Sequence, residues 1–217
     1  MNEGVQMGRA SLSDLRQASG GLIPPDSAAN LADGAAAPAR VYSLPEGYRL
    51  RLFQPGDETH WARIETAAGE FAEERAALQH FGGEFGAYSR DMQERCLFLE
   101  NAEGTPVGTT TAWYKSFAGE SFGRLHWVGI VPEEQGRKLA KPLVAAALEL
   151  LALRHRKAML TTQTPSWKAI GMYLDFGFVP LLDAANHDAA AWRWLEEKLG
   201  RSIMPLAVGA DDFLHGN

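Results

Sequence analysis

The residues best able to do chemistry lie between Leu125 and Lys141, in the run Leu-His-Trp-Val-Gly-Ile-Val-Pro-Glu-Glu-Gln-Gly-Arg-Lys-Leu-Ala-Lys. Gln135, Gly136, Arg137, Lys138, Leu139 and Ala140 set a glycine and several backbone N–H groups beside three cations, Arg137, Lys138 and Lys141. Placed at a helix start, such a group attracts an anion, because the unsatisfied N–H groups and the helix dipole both favour negative charge. A pyrophosphate is the expected guest. His126, ten residues before Gly136, is a second candidate, since a neutral imidazole can accept a proton directly or through water near neutral pH. Cys96, the only cysteine, lies in the apolar run Cys-Leu-Phe-Leu and reads as core rather than nucleophile.

These residues need elements to hold them. Leu125 to Val131 has the β-favouring composition of a buried strand, and Pro132 ends it because proline cannot donate to a sheet ladder. Pro142 requires a helix start near Leu139 to Pro142, after which Leu143, Val144, Ala147, Leu148 and Leu151 form an apolar face. Upstream, residues 48–53 read as a half-exposed first strand. Trp61, Ile64 and Ala68 fall at helical spacing, and a second helical stretch carries His80 and Glu84 near its end. Residues 95–100 and 107–114 read as a hairpin, and a second hairpin leads into residues 124–131, strand four. Residues 158–163 form strand five, parallel to strand four through a helical crossover. Thr164 and Pro165 are expected as cap and first residue of the next helix, with Gly177 as its stop.

At 217 residues, 46% hydrophobic, the chain can bury one sizeable core. Its net charge of −6 argues against general nucleic-acid or membrane binding. No apolar run is long enough for a membrane helix, so a cytoplasmic protein is expected. Residues 1–43, rich in Ala, Gly, Ser and Pro, are expected to be a disordered extension, 44–208 the folded domain and 209–217 a tail.

The strand ending in Ile130-Val-Pro132, followed by Gln135, Gly136 and Ala140, resembles motif A of the GNAT superfamily of N-acetyltransferases, Q/R-x-x-G-x-G/A. The middle glycine of that signature is Lys138 here. The expectation is that Lys138 adopts an ordinary helical φ while its ammonium takes part of the phosphate binding. Residues 166–178 resemble motif B, N-x-x-A-x-x-x-Y-x-x-x-G-F, with Ala169, Tyr173, Gly177 and Phe178 in register and Ser166 in place of asparagine.

The resemblance implies an α/β (α+β) GNAT fold, a mixed sheet of six to seven strands, antiparallel on its N-terminal side. Strands four and five would be parallel and splayed, with about four flanking helices. It implies acetyl-CoA as co-substrate, no metal, and direct transfer of an acetyl group to a primary amine of a small molecule or peptide. The alternative is a non-catalytic acyl-CoA binding or sensing module. Backbone amides near Gly129, Ile130 and Val131 would pair with the pantetheine arm, and the pyrophosphate would sit at Gln135 to Lys141. Ser166 and Ala169 would complete the cofactor groove. Tyr173 would be the general acid for the departing thiolate, with His126 the candidate base. Acceptor recognition would fall to the region before strand two, with Glu65, Glu70, Glu84 and Tyr88 there and Trp113 on the following hairpin as candidates. The partners implied are acetyl-CoA and an amine, with no nucleic acid and no membrane, and a homodimer as the candidate assembly.

Overall fold

A computed structural model describes residues 3–15, 42–117, 120–182 and 189–215. Its described residues fall into two compact units, one spanning residues 12–155 and the other combining 1–11 with 156–217.

The first unit is an antiparallel sheet in the order β2 (Arg49–Leu52), β3 (Cys96–Glu100), β4 (Pro106–Phe117), β5 (Glu120–Ile130). Both expected hairpins form. Every residue of β3 is buried, and Thr109, Thr110 and Thr111 of β4 are fully so. β-branched side chains suit such a central strand, and the Thr109 hydroxyl donates to the Leu97 carbonyl at 3.1 Å instead of being left without a partner. Helices α1 (Glu58–Ala67) and α2 (Glu74–Phe85) pack on one another and bury Trp61, Ile64, Ala77, Phe81 and Phe85. A short α3 (Ser89–Arg95) leads into β3. The helix α4 (Ala140–Ala152) starts within the expected window, with Pro142 in its first turn, and is buried from Pro142 to Ala152. Apart from Glu149 its buried residues are apolar, as a helix covered on most sides needs. Cys96 is buried, and burial pushes its thiol up to about 12, so it is inert at neutral pH.

The second unit corrects the reading of the N-terminal segment. Residues 4–9 form β1 (Gly4–Arg9), antiparallel to both β6 (Ala158–Gln163) and β7 (Val179–Leu182). Val5 and Met7 are fully buried, the period-two pattern of a strand with a core face. That signal is only two residues deep, and the small and polar residues that follow obscured it. Leu12 and Leu15, which belong to the first unit, are also buried, while residues 16–41 of the expected extension lie outside the described residues. The expected tail is likewise ordered as far as it is described. A two-residue β8 (Val208–Gly209) runs parallel to β7, and α7 (Ala210–His215) sets Phe213 against Met159 and Leu181. With β1 and β8 the described strands number eight, where six to seven were expected.

The helix bearing motif B is α5 (Trp167–Asp175), preceded by a 3-10 turn over Thr164–Ser166. Ser166, not Thr164, is thus the residue before the helix, and its side chain makes no capping bond. Thr164 is tied to the first strand instead: its hydroxyl accepts from the Glu3 N–H at 3.1 Å and its own N–H donates to the Glu3 carbonyl at 2.9 Å. Gly177, at φ +79°, ends the helix as expected. A further helix, α6 (Ala189–Leu199), buries Trp192 and Leu195. No described helix is long and apolar enough to cross a membrane.

Candidate active site

Motif A forms a turn whose backbone path differs from expectation at one residue. Lys138 does not take a helical φ; it sits at +64°, in the left-handed region, as does Gly136 at +78°. An L-residue pays roughly 1–2 kcal/mol for that conformation. The chain therefore follows at Lys138 the path that the signature glycine would allow, even though glycine is absent. Lys138 is exposed, Leu139 is buried with its backbone at the cap position of α4, and Ala140 opens the helix. Lys141 is half-buried in the first turn. The Gln135 side chain donates to the Ile130 carbonyl at 2.9 Å, locking the turn to the strand end. Arg137 is engaged locally, 3.2 Å from the Glu134 carboxylate and 3.3 Å from the Tyr48 hydroxyl.

The strand amides also divide differently from expectation. The Val131 N–H donates to the Val107 carbonyl at 2.9 Å and so is not available to a pantetheine arm. Strand alternation then aims the Gly129 amide toward β4, where Gly129 pairs with Thr109, and leaves the Ile130 amide directed away from β4.

One turn earlier, β5 carries a bulge. Thr109 pairs with Gly129 but Thr111 pairs with His126, so a single β4 residue opposes Trp127 and Val128. Trp127 takes the left-handed φ of +50° there. Rings hold it in place: its indole lies 5.3 Å from Trp61, 5.4 Å from Phe71 and 5.1 Å from His80, centroid to centroid. A strained backbone that persists because its surroundings fix it is a common mark of a functional site.

Glu84, near the end of α2, is the hub of this site. Its Oε1 receives His126 Nε2 at 2.7 Å, and its Oε2 receives Trp127 Nε1 at 2.8 Å and lies 3.0 Å from His80 Nε2. Burial alone would raise the Glu84 carboxyl, but the hydrogen bonds from His126, Trp127 and His80 outweigh it and bring it down to about 2. Burial lowers His126 despite the Glu84 bond. Glu84 is then ionised and can only accept, so neutral His126 carries its proton on Nε2 and a lone pair on Nδ1. No described residue is hydrogen-bonded to that Nδ1. A carboxylate that fixes the tautomer of a histidine is the orienting arrangement found in hydrolytic triads. His80, Gly83, Glu84, Arg124, His126 and Trp127 line a cavity of about 460 Å³.

Of the expected acceptor residues, Glu84 lies in this cavity. Tyr88 is exposed and stacks edge-on to Trp113, which is itself buried among aromatics. Glu65 is fully buried against β5. Trp127 and Arg124 were not foreseen. The usable signal was the spacing of Arg124 and His126, two apart on one strand, facing a helix with His80 and Glu84 four apart. In the second unit, Tyr173 is buried, its ring 6.3 Å from Phe178 and edge-on to it. Ala169 is half-buried one turn earlier, and Ser166 is exposed.

Residues 58–178 match the Acetyltransferase (GNAT) family. The chain is 29% identical over 174 residues to a mycothiol acetyltransferase of Streptomyces griseus, covering 79% of this chain and 52% of that protein. To a mycothiol acetyltransferase of Streptomyces bingchenggensis it is 33% identical over 146 residues, covering 62% and 44%. The chain thus spans about half the length of the curated relatives it matches. Among solved structures, a GCN5-related N-acetyltransferase from Sphaerobacter thermophilus aligns with a TM-score of 0.51 at 20% identity, over 75% of this chain and 42% of that one, a likeness of fold. With both signature motifs on the elements that should carry them and the family match covering more than half of its length, the chain belongs to the GNAT family of acetyltransferases.

Proposed function

We propose that this chain transfers an acetyl group from acetyl-CoA to a primary amine. The observation that carries the proposal is the backbone at Gly136 and Lys138, both left-handed ahead of α4. A lysine would not take that costly conformation for an ordinary helix start, whereas a turn that gathers N–H groups around a phosphate calls for it. Acetyl-CoA is the co-substrate proposed there, with its pyrophosphate on Gln135 to Lys141 and its pantetheine arm toward the Ile130 amide.

His126 Nδ1 takes a proton from the acceptor ammonium, and Glu84 holds the ring in the tautomer that permits it. The freed amine attacks the thioester carbon, forming the C–N bond as the carbonyl oxygen gains charge that the Ile130 N–H steadies. The C–S bond breaks, Tyr173 gives its phenolic proton to the departing thiolate, and the second proton shed by the attacking nitrogen as the amide forms restores the phenol, while His126 returns its proton to solvent. The names of the curated relatives make a small-molecule acceptor the natural class. The His126–Glu84 pair favours turnover over the acyl-CoA sensing alternative, which has no use for an oriented base.

Release of CoA thiol with a panel of amines tests the proposal. Tyr173→Phe keeps the ring and its packing and removes only the hydroxyl, so kcat is expected to fall about 10²-fold or more at unchanged acetyl-CoA affinity. Turnover at the parent rate would remove Tyr173 from the mechanism. An absence of acetyl-CoA binding in calorimetry at near-millimolar concentration would remove the proposal itself.

A further inference from the structure

The cavity holds one cation that the proposed mechanism does not use. Arg124 is two residues before His126 on β5, in a stretch where pairing with β4 is regular, Trp113 with Arg124 and Thr111 with His126. Residues two apart on a strand share a face, with Cα atoms about 6.5–7 Å apart. Both side chains line the same cavity. The Arg124 side chain is 30% exposed, and among described residues its ionic partner is Glu84, at 3.9 Å, beyond hydrogen-bond reach. Glu84 cannot close on it, because its two oxygens already face three nitrogen groups, from His126, Trp127 and His80. For the same reason Glu84 is poorly placed to receive an acceptor's ammonium. The recognition chemistry left in the cavity is therefore a planar fork of N–H donors on a half-buried cation, next to an aromatic wall. A carboxylate or phosphate oxygen pair matches that fork.

We infer that Arg124 forms an anion-binding subsite and that the acceptor is an amine carrying a carboxylate or phosphate a few bonds from its nitrogen. The amine points to His126 and the acid group to Arg124, a span set by the two-residue spacing on β5. The inference rests on reading this cavity as the acceptor site of the transferase proposed above. Partial burial supports it, since the same desolvation that lowers the Arg124 pKa strengthens any pairing with an anion.

Matched probes test it in the full chain. Calorimetric binding of β-alanine is compared with β-alaninamide, and of phosphoethanolamine with ethanolamine, with saturating CoA present. The anionic member of at least one pair should bind about tenfold or more tightly, and which pair does so distinguishes carboxylate from phosphate. Arg124→Gln should abolish the preference, and Arg124→Lys, which keeps the charge without the fork, should retain part of it. Equal affinity within both pairs, no binding of any probe at millimolar concentration, or a preference unchanged in Arg124→Gln overturns the inference. A preserved anionic preference without CoA thiol release from acetyl-CoA overturns the transferase proposal and leaves the anion subsite standing.

Discussion

At the scale of single residues, Trp127 and Lys138 hold a left-handed backbone that L side chains disfavour. Lys138, left-handed at φ +64°, gives a direct test of why it is strained. Lys138→Gly should stabilise the folded chain by about 1 kcal/mol, because glycine accepts that φ without steric cost. Lys138→Glu should keep the strain and weaken acetyl-CoA binding by adding repulsion. Equal CoA affinity in the two variants would mean that the side chain does not face the phosphates. His126 and Glu84 give a second test. The parent should lose activity as pH falls through the His126 pKa, at a value below the ordinary 6.5 because burial disfavours the imidazolium. Glu84→Gln removes a charge that favours the protonated ring, so the acidic limb should move to still lower pH while kcat drops about tenfold or more through loss of the tautomer lock. A drop in rate with an unmoved limb would make Glu84 a structural residue only.

At the scale of elements, α1 meets β5 through a buried acid. A Cβ built on Gly129 would lie 2.9 Å from Glu65 Oε1, so only glycine at that strand position admits the carboxyl. Neither Glu65 oxygen has a hydrogen-bond partner among the described residues. Burial, reinforced by nearby Glu70, raises the carboxyl from its ordinary 4.5 to about 8. Below pH 4.5 both the folded and unfolded chains hold the proton and the group contributes nothing to the pH dependence. Between 4.5 and 8 the unfolded chain ionises while the folded one does not, so stability falls with rising pH by up to about 1.4 kcal/mol per unit, levelling above 8. Urea denaturation across pH 5 to 8 should show this decline in the parent and a flatter curve in Glu65→Gln; parallel curves would place the Glu65 carboxyl in water. Long-range encounters of this kind explain what the sequence could and could not reveal. The turn at Gln135 to Ala140, the start of α4 and the motif on α5 are local patterns of glycine, proline and apolar spacing, so they were legible. The Glu84 hub joins α2 to β5 across some forty residues, and the bulge at Trp127 depends on rings from α1 and α2, so neither has a local signature. β1 was missed because Val5 and Met7 mark too short a strand to stand out beside the low-complexity stretch that follows.

At the scale of the whole molecule, the two units draw on the chain very differently. Residues 12–155 hold the motif A turn, the cavity and His126 within one continuous stretch, whereas the unit with Tyr173 needs both ends of the chain. Deleting residues 1–11 should therefore expose the β1-facing edges of β6 and β7 and remove the bonds between Glu3 and Thr164 that anchor the approach to α5. Limited proteolysis of that variant should cut first within 156–217, leaving the other unit resistant for longer. Simultaneous loss of both would show that the two units unfold as one. The same wiring imposes an order on synthesis. Gly4 pairs with Gln163, roughly 160 residues later, so β1, once made, waits on the order of 10 to 30 s for its partner. During that interval a nascent chain can already hold the proposed base and the proposed anion cradle, while the helix bearing the proposed acid has yet to be made.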